Sequence, residues 1–190
     1  MKKLFLVIMA LSLLLVTGCG KGSLSSQEQG SGYTVVDARG KKITFASAPK
    51  RIVCLNYSAT DILTDLIPTE RIIATDMWAR EEDLSNCYEK LKGIPVCENN
   101  PEQIMKFKPD LVILTDGRAN ELADTLDSVG IKTCVLRQPK TIQEIPDYIK
   151  IVGEVADTKA AADSLAEKVA AYLKASARSE EHTSELQSHA

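Results

Sequence analysis

Two rhythms of hydrophobic and polar positions run through this chain from residue 33 onward. Ile52–Leu55, Ile72–Ala74, Leu111–Leu114 and Lys132–Leu136 are short runs with little polar interruption, the pattern of parallel strands buried on both faces. Helical spacing lies between them. Ile62, Leu63, Leu66 and Ile67 fall on one face, and Pro68 ends that helix; Ser58 with Asp61 predicts an approximate capping box at its start. Leu122, Leu126 and Val129 form a second apolar face, with Gly130 as the stop signal. Asn100-Pro101-Glu102-Gln103 predicts a helix with Asn at the N-cap and Pro at the first position, kept short by Pro109.

Thr141 and Glu144 predict a capping box for a helix bearing Ile142, Ile145, Ile149 and Val152, which Pro146 either kinks or delays. Lys159–Ser176 is Ala-rich, with Leu165, Val169, Tyr172 and Leu173 on its apolar side. Ahead of the first buried strand, Tyr33–Asp37 and Lys42–Phe45 read as a hairpin turning at Ala38–Lys41. Met77–Val96 is the least regular stretch, with a short helix expected around Glu81–Leu91. Strands alternating with helices give an α/β lobe, a doubly wound and mostly parallel sheet over 33–157, followed by a helix over 158–177. In such sheets ligands collect outside the carboxyl ends of the strands. Asn56–Ser58 and Asp76–Trp78 are therefore the loops in which function is expected.

The N-terminus follows a different logic. Lys2 and Lys3 precede the apolar run Leu4–Val16, too short to span a bilayer and laid out as a signal peptide over residues 1–18. Val16-Thr17-Gly18-Cys19 resembles the lipobox of bacterial lipoproteins, which implies cleavage before Cys19 and lipid on that cysteine. Residues 19–32, rich in Gly, Ser and Gln, read as the lipidated cysteine and a flexible tether.

The other end is also unusual. Arg178–His189, RSEEHTSELQSH, reads as a translated short-read sequencing adapter rather than native protein; a genuine polar helix is the alternative. Setting residues 178–190 aside makes the gene fragment end near Ala177. It also removes both histidines, His182 and His189, so no His remains for a metal site or a nucleophile–base pair.

The formal net charge of −3 gives no basic footprint for nucleic acid. Neither GxxxxGK[ST] nor GxGxxG is present. Cys54 and Cys134 lie inside apolar strand patterns and read as small buried hydrophobes. Cys87 and Cys97 flank the irregular region without zinc-site spacing, which leaves a disulfide and two free thiols both open. Asp61 and Asp65 sit at helical spacing, as a solvated face would place them.

Three segments, RIVCLNYSATDILTDL, NPEQIMKFKPDLVIL, and the run from GIKTCVL through TIQEIPDYIKIVGEVADTKAAADSL, resemble one family. It is the class III substrate-binding proteins of ABC importers, which carry iron–siderophores, cobalamin or haem. The resemblance covers about Tyr33 to Ala177. It implies two α/β lobes joined by a long rigid helix, of which this chain holds the N-terminal lobe and the start of the connecting helix, Lys159–Ser176.

It further implies a lipoprotein outside the cytoplasm, anchored to the bacterial cell membrane through Cys19. Its partners would be a permease and ATPase, and its cargo a metal chelate, iron–siderophore first, with haem or a corrinoid such as cobalamin as alternatives. No catalysis and no bound cofactor are expected. The expected ligand face is Asn56, Tyr57 and Ser58, then Asp76, Met77 and Trp78, then Asp116, Gly117 and Arg118. Tyr57 and Trp78 would stack on a planar ligand, Arg118 would pair with an anionic chelate, and Met77 would ligate haem iron. Glu102 is the expected permease-docking residue. A lipid-anchored extracytoplasmic enzyme or a sensor domain are the readings from other classes.

Overall fold

The computed structural model describes residues 32–117 and 119–188, with side chains to residue 178. The signal peptide, Cys19, the tether up to residue 31, and Arg118 lie outside the described residues. The chain opens with an antiparallel hairpin, β1 (Tyr33–Val36) and β2 (Lys42–Phe45). Four parallel strands follow: β3 (Ile52–Leu55), β4 (Ile72–Thr75), β5 (Leu111–Thr115) and β6 (Thr133–Leu136). Their order in the sheet is β4-β3-β5-β6. The helices are α1 (Tyr57–Leu66), α2 (Pro101–Lys106), α3 (Ala119–Ser128), α4 (Ile145–Ala156) and α5 (Lys159–Ser188).

Side chains of the parallel strands alternate between two cores, one on each face of the sheet. Ile52, Cys54, Ile72, Leu111, Ile113 and Cys134 pack with Ala59 and Leu63 of α1 and with Tyr148, Val152 and Val155 of α4. Val53, Leu55, Ala74, Val112, Leu114 and Val135 pack with Ile104 of α2 and with Ala123 and Leu126 of α3. Each large aliphatic side chain fully buried in this way contributes roughly 1.5–3 kcal/mol. The unbroken apolar runs are thus explained by helices on both faces, and the fold is a doubly wound α/β lobe.

Both outer strands of the sheet are covered. At β6, the hairpin turn donates Ala38 N–H to Val135 O at 2.8 Å, and Asp37 Oδ2 accepts Val135 N–H at 3.3 Å. At β4, Thr75 donates to Pro95 O and its carbonyl accepts Cys97 N–H, forming an isolated parallel bridge from Thr75 to Val96. The hairpin is fastened by ions. Arg39 Nε meets the fully buried Asp37 at 2.7 Å, and Arg39 Nη1 reaches Asp127 at 3.2 Å, while Arg39 Nη2 donates to Thr133 Oγ1 at 2.9 Å.

Several expectations require correction. The cap of α1 is Asn56, not Ser58: its Oδ1 accepts Ala59 N–H at 3.0 Å, so the helix begins two residues earlier than a Ser58 box allows. No helix spans Glu81–Leu91; two 3₁₀ turns, Trp78–Arg80 and Glu89–Leu91, bracket a loop instead. Val129 is 56% exposed because α3 stops at Ser128, and Ala123 replaces it beside Leu126 in the core. Thr141 makes no side-chain cap and the box does not form; Glu144 accepts Lys140 N–H instead, at 2.9 Å, and Ile142 stays exposed. Pro146 does delay the helix, sitting in the first turn of α4.

Cys87 and Cys97 are free, each buried in a different core on opposite faces of the sheet. Helix α5 packs Ala162 and Ala166 against Ile149, leaves Tyr172 exposed, and continues without a break from Ala177 to Ser188. Among the described residues no helix is long and apolar enough to cross a membrane.

Candidate functional site

A cleft of about 960 Å³ opens at the carboxyl ends of the parallel strands. Its floor is Leu55 and Asn56 after β3, Leu114 and Thr115 of β5, and Gln138 with Pro139 after β6. Tyr57, Met77 and Trp78 stand at its mouth, respectively 44%, 51% and 52% exposed. Strands of a parallel sheet end together on one side, so successive βα loops converge on one crevice.

Asn56 holds the floor together. Besides capping α1, its Oδ1 accepts Gln138 Nε2 at 3.0 Å, tying the loop after β3 to the loop after β6. Its Nδ2 is buried and has no hydrogen-bond partner, and the nearby hydroxyl of the buried Tyr148 is also unpartnered.

Asp76 positions the mouth. Its Oδ1 accepts Ala79 N–H at 2.9 Å and so fixes the turn that carries Trp78. Burial raises the Asp76 carboxyl above the ordinary range, against the opposing pull of the Ala79 and Trp78 N–H groups. Asp116 is anchored through its backbone, N–H to Leu136 O at 2.9 Å, and its carboxylate lies 3.9 Å from Arg137 Nε.

Six of the nine residues expected on the ligand face line this cleft: Asn56, Tyr57, Asp76, Met77, Trp78 and Asp116. Ser58 is turned into the first turn of α1 and does not line it; nor does Gly117, which forms the positive-φ bend into α3 (φ 96°). Glu102 is exposed on α2, outside the cleft lining. Gln138 and Pro139 were missed although they follow a buried strand as Asn56 and Asp116 do, so the strand-end rule alone reaches them. Val96, Cys97, Glu98 and Asn99 also line the cleft, placed by the single Thr75–Val96 bridge. No apolar run announces that bridge.

Burial pushes the Cys97 thiol up to about 11, which keeps it out of the thiolate form a nucleophile or soft ligand needs. Residues 32–178 contain no histidine, and among the described residues no three His, Cys, Asp or Glu side chains gather to hold a metal ion.

The family model described as "Periplasmic binding protein" matches residues 52–185, which includes every strand of the parallel sheet. The chain belongs to the periplasmic binding protein family. It is 25% identical over 176 residues to an ABC transporter substrate-binding lipoprotein of Bacillus subtilis, YvrC, covering 86% of this chain and 54% of that one. It is 25% identical over 129 residues to a cobalamin-binding protein of Halobacterium salinarum, covering 68% of this chain and 35% of that one. In fold it is similar to the crystal structure of the haem-binding protein HmuT, with a TM-score of 0.67 at 20% identity over 80% of this chain and 49% of that one. The chain spans about half the length of these relatives or less. That partial span and the four-stranded sheet are those of one lobe of this family's fold.

Proposed function

We propose that this chain is the N-terminal lobe of a substrate-binding lipoprotein of an ABC importer. Outside the cytoplasm, held to the bacterial membrane by lipid on Cys19, it captures a metal chelate and hands it to a permease. Helix α5 is the start of the element that joins a second lobe. No turnover is assigned to it.

The observation that carries this reading is the cleft itself. It is wide, open, built from strand-end loops and flanked by two exposed aromatic side chains, with no nucleophile–base pair in it. A cleft of about 960 Å³ exceeds what a hydrated metal ion fills and suits a chelate or a corrinoid. Tyr57 and Trp78 offer rings to stack on such a ligand. An iron–siderophore is the first assignment. Cobalamin is the second, supported by the cobalamin-binding relative, and haem the third, with the exposed Met77 as an axial ligand.

Trp78 is the only tryptophan of the chain, so its fluorescence reports on the cleft mouth directly. Titrating the full-length protein with ferric siderophores, cobalamin and haem, against a Trp78→Phe control that isolates this residue's signal, should quench it with the siderophore at the lowest concentration. Quenching by haem alone, lost in Met77→Ala, overturns the first assignment. Quenching by none of them overturns the substrate-binding reading.

A further inference from the structure

We propose that the cleft sorts its cargo by charge, admitting ferric trihydroxamates of zero or positive net charge and rejecting polyanionic catecholate or carboxylate chelates. This deepens the substrate-binding reading and rests on it. Among the described residues, every charged side chain lining the cleft is acidic: Asp76, Glu98 and Asp116. They stand on three separate segments, after β4, after the Thr75–Val96 bridge and after β5, so the negative charge is spread along the cleft rather than gathered at one point.

Among the described residues compensation is slight. Arg137 approaches Asp116 only at 3.9 Å, its side chain is 71% exposed, and it does not line the cleft.

A ligand shut between lobes loses much of its water, and the interaction of its charge with these carboxylates then strengthens. A polyanion meets like charges directly, which is among the strongest ways to reject a wrong partner. A chelate with a pendant ammonium gains from the same carboxylates. Two of the three, Glu98 and Asp116, are exposed, so part of the effect is screened by salt.

The test compares, on the full-length protein, a ferric trihydroxamate bearing an ammonium, a neutral ferric trihydroxamate and a trianionic ferric tris-catecholate. Trp78 quenching is read at low and at high salt. The cationic chelate should bind at least about tenfold more tightly than the trianion at low salt, with the gap narrowing at high salt. Glu98→Gln combined with Asp116→Asn should bring the two within about threefold, with thermal unfolding unchanged because neither side chain is buried. Tighter binding of the trianion overturns the charge inference alone, above all if Arg118→Ala abolishes it. An unchanged gap in the double variant overturns it as well. Binding of no chelate of any charge overturns the substrate-binding reading and takes this inference with it.

Discussion

Gly153 of α4 and Ala162 of α5 face each other so closely that a β-carbon on the glycine would lie 2.1 Å from Ala162 Cβ. The same glycine accepts Thr158 N–H at 2.8 Å, and Asp157 takes the left-handed conformation (φ 60°) that closes the helix end. Small residues on both sides let α5 lie flush against α4.

Gly153→Ala is expected to destabilise the lobe. Alanine gains up to about 1 kcal/mol in helix propensity, but the overpacking it forces costs roughly 1–3 kcal/mol, and the backbone of α5 has little room to yield. Urea unfolding should show a lower midpoint. Adding Ala162→Gly should restore most of it, and a failure of that rescue would assign the loss elsewhere.

The four cysteines of the lobe should behave as buried hydrophobes. Burial pushes Cys54, Cys87 and Cys134 up to about 12 and Cys97 up to about 11, and none is paired. In a Cys19→Ser background, a thiol reagent at neutral pH should label none of them quickly in the folded protein and all four in denaturant. Rapid labelling of Cys87 or Cys97 under native conditions contradicts their placement.

Arg39→Ala should cost about 3 kcal/mol, toward the low end for breaking a buried ion pair. Asp37 would keep its bonds from the Arg39, Lys41 and Val135 N–H groups but lose the only ionic partner it has among the described residues. Chemical denaturation measures this, and a loss below about 1 kcal/mol would show that the backbone donors suffice.

Asp127 in the same cluster sets an acid dependence. Burial raises its carboxyl, but bonds from Lys41, Thr133 and Arg39 outweigh that and hold it below the ordinary range. A depressed carboxyl stabilises the fold above its unfolded-state value of about 4 and ceases to do so as the pH falls through the folded-state value. Asp127→Asn should therefore be less stable than wild type at neutral pH and show a flatter decline on acidification. Parallel curves down to low pH refute the assignment.

Glu102→Arg tests docking. The residue is exposed in the first turn of α2, behind the Asn100 cap that accepts Gln103 N–H at 3.0 Å. If it merely complements the helix dipole, the change costs about 0.3–1 kcal/mol and leaves uptake intact. Docking to a permease instead leaves ligand affinity unchanged and cuts uptake by a full-length protein, most at low ionic strength, with the deficit narrowing as salt screens the charges. Normal uptake by the variant rules docking out.

Much of this fold can be read from residue order because the sheet is buried on both faces. Ile52–Leu55 and Leu111–Leu114 have nothing but apolar side chains to offer, and Pro68, Pro109 and Gly130 punctuate the helices between them. The errors lie where side chains compete for a backbone group. Asn56 and Ser58 both suit a helix cap, and only the bond from Gln138, distant in sequence, marks Asn56 as the fixed member. The cleft divides the same way. Asn56, Tyr57, Asp76 and Asp116 follow from the apolar runs before them, and the same rule extends to Gln138 and Pro139 after β6, whereas Val96–Asn99 reach the site through one bridge that no periodicity records.

The covered outer strands bear on how the protein fares among copies of itself. A parallel sheet ending in free strands offers its unpaired N–H and C=O groups to any passing chain. Here the middle of β6 has both backbone groups of Val135 taken by Asp37 and Ala38, and Thr75 on β4 is likewise engaged by Pro95 and Cys97. The amino-terminal hairpin thus acts as a guard against edge-to-edge aggregation, before the lobe has found any partner.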